Sequence, residues 1–248
     1  MSGTSSRVAL ITGGGTGVGR ATALALAQRG YDVAINYSRS AQEAEETAAA
    51  ARQHGVRAIT LAADVADDAQ VRQMVARCGE VLGRLDVLVN NAGTTYFVDH
   101  HDLEGLTEAM WDRILAVNLK GPYFVTRAAV ELLRASGGGA VVNVASVAGI
   151  AGSGSSIAYA ASKGGLITMT KSLARALAPQ IRVNAVCPGP ILSRWLVGHE
   201  AMIEAALKVT PLGRASTPQE VAAVIVFLAC DAAMVTGQAV VVDGGRTM

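Results

Sequence analysis

A chain of 248 residues, 51% hydrophobic and 17% charged with a formal net charge of +1, can bury roughly 70 to 75% of its unfolded surface. That balance describes a soluble globular protein and excludes a broad electrostatic pull on nucleic acid or acidic membranes. The longest apolar run, VAAVIVFLAC at 221–230, falls short of the roughly 20 residues that a bilayer-spanning helix needs.

The chain opens with MSGTSSRVAL, which lacks the charged, apolar and small-residue blocks of a signal peptide, so residues 1–6 read as a flexible start and the cytoplasm as the expected compartment. Short β-rich runs then alternate with helix-length segments. The strand candidates are VALIT (8–12), DVAINY (32–37), VRAITL (56–61), LDVLV (85–89), AVVNVA (140–145), IRVNAV (181–186) and AVVVD (239–243). Helical spacing is found at 17–29, 41–54, 67–82, 108–135, 158–178 and 218–230. Each connection is long enough for a right-handed crossover, and no Pro/Ser-rich linker divides residues 7–248. The expected fold is therefore α/β: one domain, a seven-stranded parallel sheet and helices on both faces. SGGGA at 136–140 reads as a turn into the fifth strand, and residues 188–211, which carry no strand pattern, read as a cover over a site. Cys78, Cys187 and Cys230 are odd in number and lack Cys-x-x-Cys spacing, which points to buried small hydrophobes and to no metal site.

Ligands of such sheets bind beyond the carboxyl ends of the strands. After the first strand the chain reads ITGGGTGVGR, which fails both G-x-G-x-x-G and the phosphate loop of nucleoside triphosphatases but fits T-G-x-x-x-G-x-G through Thr12, Gly13, Gly17 and Gly19. Glycines there let the backbone approach a pyrophosphate, and the next helix offers its unpaired N–H groups. Gly15, Thr16 and Val18 belong to the same turn. An acidic residue about 20 positions on holds the ribose of NAD. Here that point reads Asn36, Tyr37, Ser38 and Arg39, neutral and basic groups that suit a 2′-phosphate and favour NADP(H), with NAD(H) the alternative.

In AYAASKGG, Tyr159 and Lys163 are spaced i and i+4 on one helical face. A phenol with a pKa of about 10 is a poor proton donor or acceptor near neutrality; a cation about 4 Å away favours the phenolate by roughly three pK units, and burial opposes this. Ser146 ends the fifth strand, where a hydroxyl can hold a carbonyl oxygen, and Asn118 sits mid-helix, an unfavourable place for asparagine without a specific task.

With TGGGTGVG, DV at 64–65, NNAG at 90–93, VNLKG at 117–121, Ser146, YAASK, NAVCPGPI at 184–191 and VTGQAVVVDGG at 235–245 in order, the chain resembles the short-chain dehydrogenase/reductase family and its 3-oxoacyl-carrier-protein reductase branch, over nearly its whole length. The resemblance implies a Rossmann fold and an NAD(P)-dependent oxidoreductase acting on a carbonyl or secondary alcohol. It implies that Tyr159 exchanges a proton with the substrate oxygen, Lys163 tunes it and holds the nicotinamide ribose, Ser146 polarises the carbonyl and Asn118 holds a water. Asp64 and Val65 would meet the adenine, Asn91, Ala92 and Gly93 the adenosine ribose, and Pro188, Gly189, Ile191 and Ser193 the nicotinamide side. A homotetramer or homodimer built on helices 108–135 and 158–178 is also implied.

Three features depart from the family pattern. Ser193 replaces a common threonine. Gly137 and Gln180 stand where carrier-protein reductases place arginines, with Arg134 and Arg182 nearby. The loop YFVDHHDLEGLTEAMW is longer than usual, and its His100 and His101 read as exposed residues that point apart rather than as metal ligands. The covering segment, with Arg194, Trp195 and His199, is the expected determinant of specificity. A non-catalytic dinucleotide sensor on the same fold is the competing reading.

Overall fold

The protein is described from a computed structural model covering residues 6–192, 198 and 200–248. Residues 1–5 of the expected flexible start, Ser193, Arg194, Trp195 and His199 lie outside the described residues. In chain order the elements are β1 (Val8–Ile11), α1 (Gly17–Gln28), β2 (Asp32–Tyr37), α2 (Ala41–Arg52), β3 (Ala58–Ala62), α3 (Asp68–Leu82) and β4 (Val87–Asn90). There follow α4 (Glu108–Leu115), a π-helical turn (Ala116–Lys120), α5 (Gly121–Ala135), β5 (Gly139–Val144), α6 (Ala148–Ala151), α7 (Ile157–Leu177), β6 (Ile181–Pro188), α8 (Glu200–Lys208), α9 (Pro218–Cys230) and β7 (Ala239–Val242).

The seven strands form one sheet in the order β3-β2-β1-β4-β5-β6-β7, every pair parallel. The central strand explains the pattern. Val8, Ala9, Leu10 and Ile11 are all fully buried, so an apolar residue is required on both faces and alternation disappears. Ala9 and Ile11 pack with α1, α2 and α9, while Val8 and Leu10 pack with α3, α5 and α7. Helices therefore cover both faces of a Rossmann fold.

The continuous helix expected at 108–135 is divided by the π-helical turn. The physical cause lies in Pro122, which has no N–H to offer the carbonyl of Asn118 four residues earlier, so the α-helical ladder cannot run through this point. Two helices escape the sequence pattern. The four-residue α6 is too short for a period to register, and α8 falls in the segment 188–211. Of the three cysteines, Cys78 and Cys187 are buried and Cys230 is half-buried, all as free thiols.

Arg182 and a buried amide chain fasten the layers. Arg182 donates to the carbonyls of Leu228 (2.7 Å) and Ala229 (2.8 Å), closing the last turn of α9. Between the strands, the Asn90 amide donates to Asn143 Oδ1 (2.9 Å) and Thr126 Oγ1 (3.0 Å), and Asn143 donates to Thr170 Oγ1 (2.9 Å). All four residues are buried, so β4, β5, α5 and α7 are tied together next to the carboxyl ends of the strands. Removing a member strands its partners without water. Asn143→Ala is therefore expected to destabilise the fold by about 1 to 3 kcal/mol, measured by denaturant unfolding; a change of a few tenths would show that the chain carries no stability.

Candidate active site

β1 and β4 are neighbours although five elements, α1, β2, α2, β3 and α3, separate them in sequence, which makes the gap between their carboxyl ends the point where strand order reverses. A cleft of about 820 Å³ opens there. Among the predicted residues it is lined by Gly13, Thr16, Gly17, Val18, Asn36, Tyr37, Ser38, Arg39, Asp64, Val65, Asn91, Ala92, Gly93, Ser146, Tyr159, Lys163, Pro188, Gly189 and Ile191. Thr12, Gly15, Gly19 and Asn118 stand outside the lining and shape it from behind.

Their geometry shows how. Thr12 Oγ1 accepts the N–H groups of Asn91 (2.9 Å) and Ala92 (3.0 Å), joining the ends of β1 and β4. A Cβ on Gly19 would lie 2.3 Å from the Gly13 carbonyl oxygen, and one on Gly15 would lie 2.9 Å from Ala44 N; both glycines permit close backbone packing. Gly17 differs. Its φ of +53° is in the left-handed region and a Cβ there would meet nothing within 4 Å, because it faces the cleft. Thr16 makes no side-chain cap and the first turn of α1 has no acidic residue, so the N–H groups at this end suit a pyrophosphate. The cradle fits a dinucleotide.

At the edge of the cleft nearest β2 and β3, Asn36 turns out to be a buried structural residue beneath the cleft lining. Its Oδ1 accepts from Gly13 N (3.3 Å), and its amide donates to the carbonyls of Leu61 (3.1 Å) and Ala63 (3.0 Å). Asp64 pairs with Arg113 at 2.8 Å. Burial pulls this carboxyl up, but the Ala66 N–H, the Arg113 guanidinium and the nearby charge of Arg39 outweigh it and hold it below its ordinary value. Arg113 was not foreseen; a lone arginine on an amphipathic helix carries no sequence signal of its own.

On the other side, Tyr159, Ser146 and Lys163 come together. Ser146 follows the end of β5, its hydroxyl accepting from Ala148 N (3.1 Å) and hydrogen-bonding Tyr159. Lys163 is buried, donates to the carbonyl of Val144 (2.8 Å), and lies 5.7 Å from the Tyr159 ring centre. In this geometry burial, rather than the neighbouring cation, sets the direction of the phenol's shift. Burial pushes Tyr159 up to about 12, because it disfavours the phenolate, with the Ser146 hydrogen bond opposing it. Burial in turn pulls Lys163 down to about 8, against the nearby Cys187.

Asn118 is buried, and its side chain is fully used. Its Oδ1 accepts from Thr94 N (2.8 Å), and its amide donates to Thr94 O (2.9 Å) and Ser162 Oγ (3.1 Å). Ser162 then donates to the carbonyl of Tyr159 (2.7 Å). The π-helical turn thereby holds the strand-end loop and α7 in one register. From the other flank, a Cβ on Gly149 would lie 2.4 Å from the Lys163 carbonyl carbon, so α6 and α7 meet backbone to backbone beside the lysine. Phe97, Ser153, Ser155, Ile203, Ala206 and Arg246 also line the cleft and were missed, since they come from loops and from α8. His100 is half-buried and His101 exposed; no group of three His, Cys, Asp or Glu side chains is placed to hold a metal among the described residues.

Comparison with known proteins agrees with this geometry. The sequence profile of a family described as "Enoyl-(Acyl carrier protein) reductase" matches residues 13–247. The chain is 39% identical to a 3-oxoacyl-[acyl-carrier-protein] reductase from Synechocystis sp. over 251 residues, covering 100% of both chains. It is also 39% identical to an L-rhamnose 1-dehydrogenase (NAD(P)(+)) from Sphingomonas sp. over 245 residues, covering 96% of this chain and 95% of that one. The crystal structure of levodione reductase superposes with a TM-score of 0.90 at 35% identity, over 97% of each chain. The chain belongs to the short-chain dehydrogenase/reductase family. It is an NAD(P)-dependent oxidoreductase of that family.

A folded-state pKa of about 8 against 10.5 for free lysine means that the unfolded chain holds more protons between these values. The cost of burying Lys163 is full below the lower value and is relieved as pH rises through the window. Relative to Lys163→Met, the wild type is expected to gain roughly 3 kcal/mol of stability across that window, read by denaturant unfolding of both proteins. A difference that does not change with pH would contradict the burial of the ammonium.

Proposed function

We propose that the protein is an NADP(H)-dependent reductase of carbonyl compounds, reversible as an alcohol dehydrogenase, with Tyr159 as the proton-transferring acid and base. The observation that carries this reading is that Tyr159, Ser146 and Lys163 line the same cleft as the N-terminus of α1. The bound nicotinamide supplies hydride to the carbonyl carbon. The protein's own part is to place that carbon and to deliver a proton to its oxygen. Ser146 holds the carbonyl oxygen, and Tyr159, kept neutral by burial, presents a proton to it. As charge develops on that oxygen, Lys163 offers the nearest buried cation. Asn118 positions α7 through Thr94 and Ser162, and Pro122 cannot donate to its carbonyl, which supports the role of holding a water that connects Lys163 with solvent.

NADP(H) is preferred over NAD(H) in this reading because Ser38 and Arg39 line the cleft after β2, while the carboxylate nearest them, Asp64, is engaged by Arg113. A cytoplasmic setting fits the free thiols. A homodimer or homotetramer is proposed through α5, where Tyr123 is exposed with Arg127 stacked 5.6 Å from its ring centre. Docking of an acyl carrier is not part of the proposal. Arg182 is committed to the end of α9 and Arg134 is paired with Glu131, and relatives named for an acyl carrier thioester and for a sugar are equally similar to this chain.

Tyr159→Phe is expected to lower kcat by about 10² to 10⁴ for any ketone reduced, with NADPH affinity by fluorescence titration close to that of the wild type. Undiminished turnover would remove Tyr159 from the mechanism. Arg39→Ala is expected to cut kcat/KM for NADPH by about 10- to 100-fold, as loss of a charged hydrogen bond does, and to leave NADH kinetics nearly unchanged. Equal losses with both cofactors would overturn the assignment of NADP(H).

A further inference from the structure

Arg246 is a cation at the cleft that the proposed reaction does not use. The turn that carries it is firmly built. After β7 the buried Asp243 accepts from Gly245 N (2.9 Å), Thr247 N (2.9 Å) and Thr247 Oγ1 (2.8 Å). Gly244 and Gly245 have φ of +69° and +87°, in the left-handed region, and a Cβ on Gly244 would lie 2.8 Å from Thr210 Cγ2. Leu212 N donates to the Gly244 carbonyl at 3.1 Å. On the inner side, a Cβ on Gly189 would lie 2.8 Å from Asp243 Cβ, so the turn rests on the cleft floor.

Held between these fixed points, Arg246 lines the main cleft and also a smaller adjoining groove formed with Ile150, Ser153, Val209 and Met248. Ser153 lines both cavities, and a Cβ on the next residue, Gly154, would stand 3.7 Å from Tyr159 Cδ1. Arg246 therefore belongs to the side of the cleft where the phenol is.

Charge accounting singles it out. Lys163 is bonded to Val144 and Arg113 to Asp64. Arg246 is half-buried and has neither a hydrogen bond nor an ion pair among the described residues. The single acidic side chain among the described residues lining the main cleft is Asp64, beyond β3 at the opposite edge of the sheet from β7; the smaller groove has no acidic side chain. Asp243, the acid closest in sequence, is occupied by its three donors. The lining of the main cleft also includes the apolar side chains of Leu192, Ile203 and Ala206. A guanidinium set in such a lining is matched by an oxyanion, which its planar fork binds in bidentate fashion.

Building on the carbonyl reductase reading, we propose that Arg246 selects substrates whose ketone carries a separate anionic group, a carboxylate or a phosphate, which the guanidinium binds while Tyr159 and Ser146 hold the ketone oxygen. The substrate class is then oxo acids or oxo phosphates, and the corresponding hydroxy compounds in the reverse direction.

The test uses matched ketones that differ in charge. Pyruvate, acetoacetate and 4-oxopentanoate, each against its methyl ester, move the carboxylate stepwise away from the ketone; 1-hydroxypropan-2-one against its phosphate tests the other anion. NADPH oxidation gives kcat/KM for the wild type, Arg246→Met and Arg246→Lys. In at least one pair the wild type is expected to favour the anionic member by about 10- to 100-fold, the size of a charged hydrogen bond. Arg246→Met should abolish that preference while reducing the neutral partner as well as before, and Arg246→Lys should restore part of it. The pair in which the preference occurs identifies carboxylate or phosphate. Equal use of charged and neutral members by the wild type, or a preference that survives in Arg246→Met, overturns the inference and leaves the reductase reading standing. If neither neutral nor charged ketones are reduced, both fall.

Discussion

The bond from the Lys163 ammonium to the Val144 carbonyl is the constraint around which the site is arranged. A buried cation must be compensated, and here the compensation comes from the last residue of β5, so the second turn of α7 is pinned to the end of the sheet. Once that distance is set, the face of α7 that carries Tyr159 turns toward Ser146. The loop between them is left only enough room for α6 to cross α7 at glycines 149 and 164. The ammonium's bond is to the sheet, and burial favours the protonated phenol.

Much of this was legible in the sequence. The inner strands could be read because β1, β2, β4, β5 and β6 are buried on two faces and so become largely apolar runs, whereas the edge strands β3 and β7 are partly exposed; the long crossovers between them left parallel pairing as the simple solution. That Tyr159, Ser146 and the glycine turn would meet at one cleft could be read because they stand at strand ends and helix starts. The break in the helix at 116–120 was also written in the chain, as a proline four residues after Asn118, but apolar periodicity runs across it and hid it. The work of Asn36 could not be read: a neutral residue at a ribose position looks the same whether it faces a ligand or, as here, braces Gly13, Leu61 and Ala63.

Arg113, Arg246 and the residues of α8 were beyond the reach of pattern for another reason. Each reaches the cleft from an element distant in sequence, and its place depends on how the crossovers pack. The glycines make the complementary point. Gly13, Gly15, Gly17 and Gly19 look alike as a motif, yet a side chain would collide with backbone at 15 and 19 and with nothing at 17. One cluster of like residues combines packing positions with a position kept open to the cleft, and only coordinates separate the two.

The π-helical turn has a consequence for how this chain can vary. A turn widened by one residue advances the following helix by about 100° relative to an uninterrupted α-helix. The inward faces of α4 and α5 are therefore set by an apparent surplus residue: Ile114 precedes it, and Val125, Ala129 and Leu133 follow it on the sheet side. Deleting one residue from 116–120 to regularise the helix would rotate those three side chains off the sheet and carry the surface face of α5 with them. Insertions and deletions are thus barred from this stretch by the phase of the helix as much as by any contact Asn118 makes.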